Sequence, residues 1–301
     1  MTSTSNFLPP KRWAIGDVTI SRIIESESEF DIPALFPKAT IDDIERLDWL
    51  RPHFITAESR GKMSIHALVV DTPTSRIIVD TCVGNDKDRG PLADFSHLKN
   101  PFLADLASAG FARESFDIVL CTHMHVDHVG WNTMLVDGKW VPTFPNARYL
   151  LSRRDFDHWA ARSKDLSSVG FDEAQRLTFA DSLQPVLEAG LVDLVDDDHR
   201  VCDEVRFIPT PGHSPGHVSV QIDSGGEHAL ITGDVVHHPC QLAHPDWNLL
   251  EVDSDRAKAT ETRCRVFAEV ADAPVLVIGT HWSGETAGMV KRDGDAFRLE
   301  C

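Results

Sequence analysis

The stretch "CTHMHVDHVGW", residues 121–131, places three histidines and an aspartate within six positions, directly after the apolar run "DIVL". A hydrophobic core cannot accommodate such a cluster, because buried imidazoles and carboxylates without partners are costly. His123 and His125 are two apart, so on an extended segment they point the same way and can grip one ion. Asp127 and His128 are adjacent and diverge, which lets them reach a second ion beside the first. In a chain of this size H-x-H-x-D-H arises by chance at a frequency of about 4 × 10⁻³, so the pattern is informative. Four residues do not complete two metal sites. The rest must come from elsewhere in the chain, which requires a fold that gathers several strand ends along one edge.

Three distant positions meet that demand. His213 lies in "TPGHSPGH", where proline and glycine impose a tight turn able to aim an imidazole inward. Asp234 ends the apolar run "ALITGD", where an unpaired carboxylate would be costly and one bridging two cations would not. His281 ends "VLVIGTH" in the same way.

The intervening sequence supplies the strands. Residues 17–24, 64–71, 75–81, 117–122, 148–152, 205–223, 228–234 and 275–281 read as strands from short apolar or alternating runs bounded by turn residues. Helical spacing predicts helices over 41–54 (stopping at Pro52), 100–111 (stopping at Gly110) and the "RRDFDHWAAR" stretch. Two more are expected across the region around Pro185 and over 254–271, the last capped by Ser254. The same grammar runs through both halves without a low-complexity linker. One α/β domain with two sheets packed face to face and helices outside is expected over 1–301, with residues 1–12 as an N-terminal extension. The "NFLPPKRW" segment there is either a homodimer contact or a flexible tail.

A chain of 301 residues needs no structural metal to hold its core, so ligands here are expected to serve chemistry. The net charge of −18 argues against nucleic acid and against an anionic membrane surface. A small neutral or weakly polar substrate is expected. Six cysteines without a C-x-x-C pair read as mostly reduced, buried thiols. With neither a leader-like start nor an apolar stretch of membrane-spanning length, a cytoplasmic protein is expected.

H-x-H-x-D-H, then T-P-G-H, G-D and G-T-H, in this order and spread over nearly the whole chain, resembles the metallo-β-lactamase superfamily. The resemblance implies the αββα sandwich fold. It implies that His123, His125 and His213 bind the first metal, that Asp127, His128 and His281 bind the second, and that Asp234 bridges them. It also makes Asp80 a strand-end aspartate that orients ligands. His217 reads as structural, while His237 and His238 are each candidates to face the pocket. Trp131 and Trp282 either wall that pocket or pack in the core.

Two divalent ions sharing a water lower its pKa toward neutrality and polarise a carbonyl or phosphoryl oxygen. This suits a bridging hydroxide attacking a lactone or ester, with Asp127 passing the proton to the leaving group. Zinc is the default metal for mixed histidine and carboxylate ligands; manganese, iron and cobalt stay open. Within the superfamily the chain resembles the N-acyl homoserine lactonases and the methyl parathion hydrolases. Lactonases of that group carry a tyrosine three residues after the bridging aspartate; here His237 stands there, giving it a candidate catalytic role. The sole tyrosine, Tyr149, reads as structural. "GDVVHHPCQL" is similar to the corresponding stretch of methyl parathion hydrolases, which makes a phosphotriester hydrolase the alternative. A glyoxalase II-like thioesterase and a non-catalytic metal-binding scaffold rank lower. The first lacks an evident basic patch for glutathione, and the second is disfavoured because no ligand is missing.

Overall fold

The computed structural model describes residues 9–301, with residues 1–8 of the expected extension outside the described residues. β1 opens at Arg12, and of residues 6–13, read as a dimer contact or tail, residues 6–8 lie outside the described part.

The chain divides into two compact units. The first comprises the residues up to Ser26 together with His66–Leu151 and Phe156–Val195; the second comprises Glu27–Ile65, Ser152–Asp155 and Asp196–Cys301. Among the described residues, fifteen strands occur in chain order. They are β1 (Arg12–Ile15), β2 (Val18–Phe30), β3 (Gly61–Asp71), β4 (Arg76–Val79), β5 (Ile118–Leu120), β6 (Thr133–Val136), β7 (Lys139–Pro142), β8 (Arg148–Ser152) and β9 (Val192–Val195). They continue with β10 (Val205–Pro209), β11 (Val218–Ser224), β12 (Glu227–Ile231), β13 (Val275–Ile278), β14 (Ala287–Asp293) and β15 (Ala296–Glu300).

A seven-stranded sheet has the order β1-β2-β3-β4-β5-β8-β9, and β6 and β7 form a separate hairpin. In the seven-stranded sheet β4 runs parallel to β5, with Val79 opposite Leu120, and β5 runs parallel to β8. Parallel neighbours end on the same side, so the segments after Val79 and after Leu120 leave the sheet together. That brings Asp80 beside the histidine loop. β5 is a continuous apolar run and β4 is one after Arg76, as strands covered on two faces must be.

The second unit holds a six-stranded sheet, β10 to β15 in sequence order. Its single parallel pair is β12 and β13, with Ile231 opposite Ile278. Asp234 and His281 each follow those paired residues by three positions, so the register alone sets them at one sheet edge. His213 lies in the turn between the antiparallel strands β10 and β11. The core of this unit includes Phe36, Phe54, Phe267 and Trp282, all fully buried.

Several boundaries differ from the sequence expectation. The predicted strand 205–223 is two strands with the "TPGHSPGH" turn between them. The helix expected over 41–54 is one turn, Ile41–Glu45, capped by Thr40 and followed by a 3₁₀ turn at Asp48–Leu50. The helix expected from Ser254 runs Arg256–Val270, and its cap is Asp255, whose side chain accepts the Lys258 N–H. Around Pro185 the chain forms two short helices joined by a π-helical turn, Phe179–Leu183. The expected mostly buried thiols are free but divided: Cys82, Cys121 and Cys240 are buried, Cys202 is half-buried, and Cys264 and Cys301 are exposed. No helix among the described residues is long and apolar enough to cross a membrane.

Candidate metal centre

In the first unit the loop after β5 packs three imidazoles together. The His123 ring centroid lies 4.4 Å from that of His125 and 4.0 Å from that of His128, and all three rings are buried. Asp80 holds this loop. One carboxylate oxygen accepts the Thr122 N–H at 2.8 Å; the other accepts the Thr122 hydroxyl at 2.9 Å and His128 Nδ1–H at 3.0 Å. Thr122, having spent its proton on Asp80, is left to accept from His123 Nδ1 at 3.1 Å. His123 and His128 are thereby held with Nδ1 protonated, which makes Nε2 the nitrogen able to ligate an ion. Asp127 reaches to 3.6 Å from His128 Nε2 and keeps partial exposure.

The backbone after β4 is bent to serve this arrangement. Asp80 and Cys82 both lie in the left-handed region, at φ 56° and 53°. The two segments are stitched by Thr81 N–H to the His128 carbonyl at 2.6 Å and Gly130 N–H to the Cys82 carbonyl at 2.7 Å. A Cβ at position 130 would lie 1.8 Å from the Val83 carbonyl oxygen, so only glycine fits there. Behind the stitch sits Glu25, a buried carboxylate that sequence reasoning missed. It accepts Val83 N–H at 2.8 Å, Gly84 N–H at 3.1 Å and the Trp131 indole N–H at 2.6 Å. Burial raises its pKa above the ordinary carboxylate value, against the pull of those donors.

In the second unit Asp234 is the focus. His213 Nε2 lies 3.3 Å from its Oδ2, His237 Nε2 3.1 Å from Oδ2, and His281 Nε2 3.1 Å from Oδ1. Single ligand atoms of His213, Asp234 and His237 fall within 4.8 Å of one another. The outer nitrogens are again engaged: His213 Nδ1 by Asp253 at 2.8 Å and His281 Nδ1 by the Ser64 carbonyl at 3.3 Å. Burial works against the Asp253 charge, yet the His213 hydrogen bond and charge hold its carboxyl below the ordinary range. The "TPGH" turn is tight for a steric reason. Gly212 has φ 139°, and a Cβ there would meet the Ala259 backbone nitrogen at 2.4 Å.

The remaining histidines sort by their bonds. His217 accepts the Asp234 N–H at Nε2 (2.8 Å) and donates from Nδ1 to the Thr210 hydroxyl (2.8 Å), so it supports the aspartate from behind, as its structural reading expects. His238 donates to the Phe54 carbonyl at 2.9 Å and accepts the Cys240 N–H, and burial lowers its pKa to about 4. It is a structural residue. His237 is buried beside Asp234, with its ring 4.7 Å from His213 and parallel to His281 at 5.7 Å. Its Nδ1 has no hydrogen-bond partner among the described residues. Burial lowers its pKa, opposed by Asp234.

Both tryptophans considered as pocket walls pack in the core. Trp131 is tied to Glu25 and stacked on Phe102 at 5.7 Å, and Trp282 is fully buried against Phe54. The aromatic rings that line a ligand are others: Trp159 at 5.3 Å and Phe171 at 4.9 Å from the His125 ring. Tyr149 is structural as expected, bonded through its hydroxyl to Phe144 and Asn132.

The donor set fits divalent metal. The buried imidazoles of His123, His128, His213 and His281 have Nδ1 tied to carboxylate, carbonyl or hydroxyl oxygens, which turns Nε2 to the ligating role, and a buried carboxylate, Asp234, lies among those of the second unit.

Residues 60–281 match the family model described as the metallo-beta-lactamase superfamily. The probable metallo-hydrolase Rv2300c of Mycobacterium tuberculosis is 26% identical over 191 residues, covering 58% of this chain. The chain spans 57% of that relative's length. Among solved structures, AidC, a dizinc quorum-quenching lactonase, superposes with a TM-score of 0.76 at 21% identity, covering 98% of both chains. The hydrolase AbOPH superposes with a TM-score of 0.78 at 24% identity, covering 97% of both.

Proposed function

Because the chain belongs to the metallo-β-lactamase superfamily and has its fold, we propose that it is a two-metal hydrolase of lactones or esters, both units forming one catalytic domain. In this reading His123, His125 and His213 hold one ion, Asp127, His128 and His281 hold the other, and Asp234 bridges. The observation that carries it is the common orientation of the histidines. His123, His128, His213 and His281 all engage an acceptor through Nδ1, which reserves Nε2 for an ion. Bound divalent ions, zinc by default, would supply an activated water and stabilise the charge that develops on the substrate oxygen.

The chain's own residues do the rest. Asp80 and Asp253 orient ligand rings and offset their positive charge. In this reading Asp127, the partly exposed carboxylate of the loop, carries a proton to the leaving oxygen. His237, with Nε2–H directed at Asp234, has Nδ1 available to hold a proton or accept one from a substrate hydroxyl. Trp159 and Phe171, beside His125, supply apolar walls suited to a small neutral substrate with an acyl or aryl group. The six free thiols fit work in a reducing compartment such as the cytoplasm.

A second reading, a phosphotriester hydrolase, is favoured by His237 standing in place of a phenol and by the aromatic walls. Metal analysis of the purified protein coupled to a panel of acyl homoserine lactones, other lactones, aryl esters and phosphotriesters tests both. Turnover of lactones or esters that is lost on chelation and restored by zinc supports the proposal; turnover of phosphotriesters alone selects the second reading. A fully metallated protein inert on the whole panel contradicts both.

A further inference from the structure

Away from the metal ligands, the second unit has a cleft of about 410 Å³ between one face of β10–β13 and the helix Arg256–Val270. Its floor is apolar, formed by Ile208, Leu230, Val266, Val270 and Val275. That volume lies in the range of small-molecule sites. The charges at the rim are unevenly satisfied. Glu269 is paired with Arg265 at 3.2 Å, and Asp223, next to the rim, accepts from His228 at 2.6 Å and from Gln221 at 3.0 and 2.9 Å. Arg206 makes a hydrogen bond only to the neutral Gln221 amide, at 2.9 Å, and has no carboxylate within ion-pair distance among the described residues. In a chain of net charge −18, a guanidinium that feels Asp223 only at longer range than a contact ion pair, above an apolar floor, is complementary to one kind of guest. That guest has an anionic head and a hydrocarbon tail.

We infer that this cleft is a second binding site, for a small amphiphilic carboxylate whose head meets Arg206 and whose chain lies along the apolar floor. The site is connected to the candidate metal centre by a line of hydrogen bonds. The Thr210 and Ser219 hydroxyls line the cleft and lie 3.1 Å apart. Thr210 accepts from His217 Nδ1, and His217 Nε2 accepts the Asp234 N–H, each at 2.8 Å. A guest that engages the Thr210 hydroxyl perturbs the residue that seats Asp234.

The test uses octanoate as the probe on the 301-residue protein, followed by methyl and histidine-ring NMR and calorimetry, with octylamine as the control of opposite charge. Saturable octanoate binding is expected, with shifts at the Leu230, Val266, Val270 and Val275 methyls and at His217. Arg206→Gln, an exposed substitution, should weaken it about tenfold, the scale of a lost charge-assisted hydrogen bond, and Ile208→Trp should block it. Octylamine should not bind there. Non-saturable binding, unchanged affinity in Arg206→Gln, equal binding of octylamine, or shifts confined to the 121–131 loop would each overturn the inference. The last outcome would place the carboxylate at the metal ligands instead, leaving the proposed hydrolase reading intact.

Discussion

Asp80→Asn isolates the device that orients His128. Asn is close to isosteric and is among the few residues that tolerate the φ of 56° found here, so the backbone should not move. The change is confined to one atom. With the Asn oxygen kept on the Thr122 N–H, its NH₂ faces His128 Nδ1 and the Thr122 hydroxyl, where the carboxylate accepted at 3.0 and 2.9 Å. Two donors now face a donor. His128 relieves the clash by moving its proton to Nε2, the nitrogen the metal requires. Loss of such an orienting partner costs about 10–100-fold in metal affinity, which is roughly 1.4–2.7 kcal/mol. The stability of the metal-free protein should fall by about 1–3 kcal/mol for the unsatisfied buried groups. Competition with a zinc chelator dye reads the first quantity and urea unfolding of the metal-free protein reads the second. Zinc affinity within twofold of the wild type, in a protein shown to be folded, would refute the orienting role.

Other expectations follow from the same geometry. Glu25→Gln turns one of three donor contacts into a donor–donor clash and should destabilise the protein by about 1–3 kcal/mol in urea; an unchanged midpoint would remove Glu25 as the anchor of residues 82–84. Lys87 is buried against Thr133 at 2.8 Å and over the Trp140 ring at 3.8 Å, and burial lowers its pKa to about 7. The unfolded chain then holds the Lys87 proton between pH 7 and its ordinary 10.5 while the folded chain releases it, so stability should rise with pH from 7 to 8.5. Lys87→Met should abolish that rise, and parallel pH profiles for the two proteins would exclude it. Trp159→Ala should raise KM for an apolar substrate about tenfold, worth roughly 1.4 kcal/mol, with little change in kcat; a loss confined to kcat would assign Trp159 to the chemistry instead.

Much of this centre is legible in sequence because its ligands sit where strands end. His123, Asp234 and His281 each follow an apolar run that can only be a buried strand; the parallel pair β12–β13 carries Asp234 and His281 to one end of their sheet, as β4–β5 carries Asp80 and His123 to one end of theirs. The partners that orient those ligands are not legible. Asp253 lies in an irregular loop forty positions from His213, and Glu25 sits in a stretch, "ESESEF", that reads as exposed polar strand. What makes each of them buried and bonded is tertiary placement, to which no local periodicity responds. Trp159 and Phe171 escaped for the same reason, while Trp131 and Trp282, adjacent in sequence to ligand loops, turned inward to fill the core. The hairpins β6–β7 and β14–β15 are a different case. Each has a two-residue glycine-containing turn, Asp137-Gly138 in the first and Gly294-Asp295 in the second, and Asp137 and Gly138 both have positive φ, 50° and 75°. That is a sequence signal for a two-residue hairpin, and it was there to be read.

The proposed hydrolase requires His125 and His213 to serve one ion. Metal content measured by native mass spectrometry on the wild type, His125→Ala, His213→Ala and the double variant tests it without reference to any substrate. The wild type should carry two divalent ions per chain, each single variant one, and the double variant still one, because both histidines serve the same ion. A double variant that has lost both ions, or a His213→Ala protein that keeps both, would show that the two histidines do not meet at a common metal.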